Sequence, residues 1–308
     1  MSAHVGRLLN LVDSLIPKSL GHLVVGKLVF VRDELSRGLA IAAGKRGEML
    51  IEVMKVDGEI YIPASSIKGA LRRLSESIAR SAIGGSSGVL EAVTRAHCEL
   101  EDEGIVHLCH DISPLYEVYT RLSRDDLEAL ASRGLVPRDK VEELKRLLDS
   151  DPPIALRRLE PLTAQLCTIC RLFGGPGLAG KFKVTSVQLL ESRLSTLTHI
   201  MIDRERRTVS EGALYVEEFA VPEALTVEFI VENAPPGSPE YDLLLKTLRA
   251  LEHVVLTIGR SKSRGLSWFR LAKDKSQLLL IDLNKATKPQ ELIEMLTNPE
   301  QYAERIGI

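Results

Sequence analysis

Residues 61–73, YIPASSIKGALRR, compress a strand end, a tight turn and a helix start into thirteen positions. Tyr61 and Ile62 have strand character, and Pro63 cannot donate a ladder hydrogen bond, so the strand is expected to end there. Ser65 or Ser66 suits an N-cap, because a hydroxyl accepts from an orphan amide of the first helical turn. Ile67, Ala70, Leu71 and Leu74 then recur at helical spacing, which leaves Lys68, Arg72 and Arg73 on the more exposed side. A helix start with free hydroxyls, a nearby lysine and a glycine that lets a ligand approach the backbone suits a phosphate. An ordinary capped helix with solvated charges reads the same way when this stretch is taken alone.

Working outward, residues 22–33 read as a first strand, and 48–56 as a second strand-like run with Met49, Ile51 and Val53 on one side. Downstream, 182–191 and 225–232 read as strands. Leu225, Val227, Phe229 and Val231 alternate onto one face of the latter. Ser238 and Pro239 open a helix whose buried stripe is Tyr241, Leu244, Leu245, Leu248 and Leu251. A last strand covers about 266–272. The order strand, helix, strand, strand, helix, strand predicts an α+β fold with a ferredoxin-like (RRM-like) βαββαβ core. That core is assigned to 22–81 and 182–272 of a single elaborated domain. A charge-rich, mostly helical insertion occupies 89–170, a polar hairpin 192–220 and a C-terminal appendage 273–308.

At 308 residues, 44% apolar and 27% charged, the chain has the composition of a globular protein with a sizeable core. Its formal net charge of −2 requires any nucleic-acid surface to be a local basic patch. Aromatics at 4% argue against extensive base stacking. No run is long and apolar enough to span a bilayer. The first residues, with Leu8, Leu9, Val12, Leu15 and Ile16 spaced as on a short amphipathic helix, do not read as a signal peptide. The expected location is cytoplasmic, with cysteines reduced or metal-bound rather than paired.

Cys167 and Cys170 have C-x-x-C spacing, and Cys98 and Cys109 complete four. A tetrahedral structural Zn²⁺ would take four thiolates, or three with His97, His107 or His110. Reduced buried cysteines and a redox pair are the alternatives. The loop Gly259–Gly265 carries Arg260, Lys262 and Arg264 between two glycines, a composition suited to a phosphate backbone. Arg204, Arg206 and Arg207 make the 192–220 excursion basic. No G-x-S-x-G or Walker A pattern occurs, and Gly174, Gly175 and Gly177 lack the Lys-Ser/Thr of a nucleotide loop.

Four of these motifs, in order, resemble the RAMP superfamily, the repeat-associated RNA-binding proteins of CRISPR systems. YIPASSIKGALRR is similar to that family's YIPGSSLKG-type signature, with Ala64 in place of the usual glycine. CTICRLFGGPGLAGKFKV (167–184), RTVSEGALYVEEFAVPEALTVEFIV (207–231) and IGRSKSRGLSWFRL (258–271) resemble its later segments. The resemblance is closest to the backbone subunit of type III effector complexes, whose copies stack along CRISPR RNA and whose projecting thumb hairpin interrupts the guide–target duplex. It implies CRISPR RNA, target RNA, other effector subunits and copies of the chain itself as partners, and no membrane. It marks Ser65, Ser66, Lys68, Arg72, Arg204, Arg206, Arg207, Arg260, Lys262 and Arg264 as RNA-binding candidates. Catalytic members carry an aspartate before the Tyr-Ile-Pro turn. Here that place falls near Leu50, with Glu48 and Glu52 as the nearest carboxylates and no aspartate between Asp33 and Asp57. No catalytic residue is assigned, and the chain is expected not to cut RNA. The competing expectation is an endoribonuclease that cleaves target RNA or processes CRISPR RNA, for which His253 is the histidine nearest the glycine-rich loop.

Overall fold

The computed structural model describes residues 20–41, 50–83, 97–101, 104–108, 123–132, 136–151, 154, 158, 164, 167–175, 178–200, 202–203, 205, 208–209 and 214–308. The amphipathic stretch at the start of the chain, Glu48, Cys109, His110, Arg204, Arg206 and Arg207 lie outside them.

Strand β1 (His22–Arg32) is the spine. It is rich in valine and leucine, and Val24, Leu28 and Phe30 are fully buried, as suits a central strand. On one side it pairs antiparallel with β12 (Ala224–Glu232), which pairs in turn with β7 (Phe182–Leu190). Its other side is shared. β15 (Gln277–Asp282) takes residues 22–27, and β14 (Trp268–Leu271) takes residues 30–32. β13 (Leu256–Thr257) flanks β14, and β16 (Glu304–Arg305) flanks β15. The order β14-β1-β12-β7 therefore interleaves strands from both ends of the chain.

Gly26 is opposite Phe229 in the ladder, and a Cβ there would fall 2.1 Å from the Phe229 ring. Its absence lets Phe229 lie over β1 and stack on Phe182, with ring centroids 4.7 Å apart. Helix α1 (Ala64–Ile83) follows the opening turn and buries Ile67, Ala70 and Leu71 in the same core. The helix begins one residue before the serines read as its cap. Ser65 and Ser66 therefore stand in its first turn, with the Ser66 amide on the Pro63 carbonyl at 2.8 Å. α1 meets α5 (Pro239–Ala250) through a buried Ser75–Thr247 hydroxyl pair at 2.7 Å. Ser238 does cap α5, accepting from the Tyr241 amide, and Pro239 is its first residue.

Where a second strand was expected over 48–56, the chain makes short pieces instead. β2 (Leu50–Ile51) pairs with the later hairpin, while β3 (Lys55–Val56) and β4 (Glu59–Ile60) form a tight hairpin. Asp57 and Gly58 turn it with φ of 51° and 85°, the left-handed pair that a two-residue hairpin demands. The insertion read as mostly helical also carries a β-hairpin, β5 (His97–Glu101) with β6 (Gly104–Leu108). The ladder sets Leu100 opposite β-branched Ile105 and Glu99 opposite Val106, residue types that suit a strand. Later in the insertion, α2 (Arg124–Ser132) and α3 (Val141–Ser150) are helices, as its mostly helical reading expects, with Leu127, Leu130 and Leu144 buried.

The short helix α4 (Thr168–Phe173) is clamped to α5 by buried ions. Glu240 accepts from Arg171 at 2.8 Å and Lys181 at 2.6 Å. Burial works to raise the Glu240 pKa, but Arg171 and then Lys181 outweigh it and hold the carboxyl below its ordinary 4.5. A depressed pKa adds stability that is present above the unfolded value and is lost as pH falls through the folded one. Glu240→Gln is therefore expected to cost about 3 kcal/mol at neutral pH, since it leaves buried Arg171 and half-buried Lys181 without their shared counter-charge. Urea unfolding at neutral pH and below 4.5 should show that difference shrink in acid.

Candidate nucleic-acid interface

The first turn of α1 and the Gly259–Gly265 loop face each other across an open cleft of about 670 Å³. Ser65, Ser66, Gly69 and Arg73 line it from the helix, Gly259, Arg260 and Lys262 from the loop, and Ala40, Ile41 and Met54 from below. No carboxylate is among the lining residues. The loop sits close because Gly259, at φ 91°, presses onto the chain at Ala40, where a Cβ would meet the carbonyl oxygen at 2.4 Å. The Arg260 amide donates to that same oxygen at 2.9 Å. Backbone contacts thus set the loop's position and free the Lys262 side chain for the cleft. The Trp268 indole adds another, donating to the Lys262 carbonyl at 3.0 Å.

Lys262 is partly buried. Burial first, and then the facing charge of Arg73, pull its pKa down from the ordinary lysine value. Two cations that disfavour each other in a cleft without acid make a site completed by an anion.

One wall of the cleft is pinned to a hairpin. β8 (Arg193–His199) and β11 (Tyr215–Val221) pair antiparallel, with a small ladder of β9 (Ile202–Asp203) and β10 (Thr208–Val209) beyond them. Phe219 packs its base onto Ala40 and Leu266. Glu217 of β11 has no exposed surface. Its carboxylate accepts from the Ser261 hydroxyl at 2.7 and 2.8 Å, meets His199 Nε2 at 3.0 Å and pairs with Arg260 Nε at 3.2 Å. Ser261 is left-handed at φ 56°, a conformation costly for a non-glycine residue unless its surroundings hold it, and Glu217 supplies that hold. His199 stacks on Tyr215 at 4.7 Å, and Arg264 lies 5.8 Å over the Tyr215 ring while donating to its hydroxyl.

The ten RNA-binding candidates therefore separate. Ser65, Ser66, Arg260 and Lys262 share the cleft. Arg264 stands at the hairpin on Tyr215. Lys68 is outside the cleft lining. Burial, then Arg72 and Lys183, depress its pKa, which puts it in a second cationic group toward β7. Arg72 turns to structure, donating to Glu76 at 2.9 Å and the Gly174 carbonyl at 2.7 Å, with its guanidinium 3.8 Å from Cys170 Sγ. Arg204, Arg206 and Arg207 lie outside the described residues, between β9 and β10 in sequence. Arg73, absent from the candidates, was legible as the continuation of Ser66 and Gly69 at helical spacing. Glu217, Tyr215 and His199 had no local signal that tied them to the loop. His253 is exposed and does not line the cleft, so His199 is the histidine linked through Glu217 to the loop.

Near the turn, Leu50 and Glu52 are exposed, and Glu218 holds the segment by accepting from the Val53 amide at 3.0 Å and Lys55 at 3.1 Å. Asp33 is buried, with one oxygen on the Leu35 amide at 2.9 Å and the other on Arg270. Of the four cysteines, Cys167 and Cys170 are buried. Cys167 Sγ accepts from the Cys170 amide at 3.2 Å. Cys98 is directly opposite His107 in the β5–β6 ladder, and Cys109 lies outside the described residues.

A family model described as the RAMP superfamily matches residues 20–270. The comparison with curated proteins finds no match. Among the described residues no helix is long and apolar enough to cross a membrane.

Proposed function

The chain belongs to the RAMP superfamily, and from that membership we propose that it is an RNA-binding backbone subunit of a type III CRISPR effector complex. It grips guide RNA by its phosphates in the cleft between α1 and the Gly259–Gly265 loop. The observation that carries this reading is the meeting of Arg73, Arg260 and Lys262 with a helix start in a cleft lined by no carboxylate. Contacts of that kind position a strand without reading its sequence.

In this reading β1, α1, β7, β12, α5 and β14 are the ferredoxin-like βαββαβ core. The β8–β11 hairpin is the thumb, whose basic tip with Arg204, Arg206 and Arg207 meets the guide–target duplex. The partners are CRISPR RNA, target RNA, neighbouring effector subunits and copies of this chain, in the cytoplasm. The test is RNA binding by the isolated chain at graded salt. Binding of unrelated RNAs with a steep, linear dependence of log affinity on log salt is expected. Undetectable binding at low salt would remove the reading and leave a scaffold that touches only protein.

The same proposal includes one structural Zn²⁺, held by Cys98, Cys109, Cys167 and Cys170, or with a histidine such as His107 in place of one thiolate. The donor chemistry of the described half fits. The Cys170 amide reaches Cys167 Sγ, and the Arg72 guanidinium beside Cys170 favours a thiolate over a thiol. Bound there, the metal would staple the β5–β6 hairpin to the core. Metal analysis should find about one zinc per chain in protein purified without added metal, and loss of it in Cys170→Ser. Metal far below one per chain would remove the zinc and leave two buried thiols.

A further inference from the structure

A second, smaller cavity of about 160 Å³ opens behind the cleft. The two share Ala70, Arg73 and Thr257 in their linings, so they form one trough with an annex. The annex differs in character from the cleft. Its walls are mostly apolar, with Leu74 and Ser77 of α1 and Val254, Val255 and Leu256 from the segment after α5, again with no carboxylate. Leu256 is nearly fully buried, whereas Val254 is 38% exposed and forms the outer rim. Arg73 stands at the junction, where a chain running along the cations of the cleft would turn its next group inward.

We propose that the annex takes one pyrimidine base of the RNA whose phosphates occupy the cleft, so that this subunit selects by ring size at a single nucleotide. The inference rests on the reading of the cleft as an RNA site. Size argues for the ring class. A cavity of about 150 Å³ accommodates a single six-membered aromatic ring, which matches a pyrimidine and is small for the fused rings of a purine. Polarity argues for a base over a sugar or phosphate, since apolar side chains cover a planar ring face well and solvate a charged group badly. Charge argues for a nucleotide over a neutral ligand, because Arg73 and Lys262 wait for an anion at the mouth. Arg73 lines both spaces and pairs with the phosphate at their junction, while the apolar walls alone meet the base.

The experiment compares uridine and adenosine homopolymers of equal length at one salt concentration, since a homopolymer makes every register equivalent. The wild-type chain is expected to bind the uridine polymer roughly fivefold to tenfold tighter, the scale of burying part of one ring against apolar side chains. Val254→Trp fills the annex from its exposed rim and should bring the uridine polymer down to the adenosine level. Val254→Ala widens the annex and should narrow the ratio from the other side, by improving the adenosine polymer. Equal affinities in the wild type, or a ratio unchanged in both variants, overturn the annex while leaving the phosphate cleft standing. If neither polymer binds, the RNA reading itself has failed and the annex proposal falls with it.

Discussion

Arg73→Ala combined with Lys262→Ala is expected to weaken RNA binding on the order of a hundredfold near physiological salt, because each charged hydrogen bond lost is worth about 1.5–3 kcal/mol. Both side chains line the cleft, and the partial burial of Lys262 beside the charge of Arg73 favours an anion between them. The slope of log affinity against log salt should fall by about two, one per phosphate contact released. The loss should be nearly the same for RNAs of unrelated sequence, since neither residue is assigned to a base edge. Folding should be unaffected. Arg73 is exposed, and the loop that carries Lys262 is positioned through backbone contacts at Arg260 and Lys262 rather than through the lysine side chain. Lys246→Ala, an exposed cation on α5 outside the cleft, supplies the control. Equal losses in the control and the double variant would mean diffuse attraction rather than a site.

Glu217→Ala is expected to be the most damaging single substitution in this region. It removes a fully buried carboxylate and strands the Ser261 hydroxyl, His199 and Arg260 together. Breaking a buried ion pair from one side costs about 3–5 kcal/mol. Because Arg260 is 42% exposed and can turn to water, the lower end of that range applies. The effect should also reach the RNA. Ser261 keeps its left-handed backbone against that carboxylate, so without it the loop relaxes and Arg260 and Lys262 lose their common orientation. Chemical unfolding reads the first consequence. Hydrogen exchange at residues 259–265 and RNA affinity read the second. Glu217→Gln keeps the shape but can no longer accept from both oxygens, and should fall between wild type and alanine in each measurement. A variant that loses stability without faster exchange in the loop would show that Glu217 holds the hairpin alone.

The legible part of the site was the part built by neighbours in sequence. Ser65, Ser66 and Gly69 announce a helix start open to a ligand, and two glycines around three cations announce a loop that approaches closely. What those motifs could not convey was which cations end up facing each other. Lys68 and Arg72 are as basic as Arg73 and nearer the turn. Helical rotation carries Arg72 toward Cys170 and Lys68 toward Lys183, while Arg73 enters the cleft. The β3–β4 hairpin was also legible in principle, since Asp57-Gly58 is a strong turn signal, but two-residue strands are too short for alternation to register.

By itself the sequence determined the α+β class, the two amphipathic helices, the alternating β12 strand and the order of the four motifs. Each of these rests on periodicity or turn chemistry within a dozen residues, where backbone geometry alone connects residue type to position. Tertiary structure decided the rest. It alone set β14 and β15 side by side along one edge of β1, joined residue 217 to residue 261, and opened a cleft and an annex across α1. Those pairings are settled by which buried faces fit and which buried charges find partners, and both depend on contacts between segments far apart in the chain.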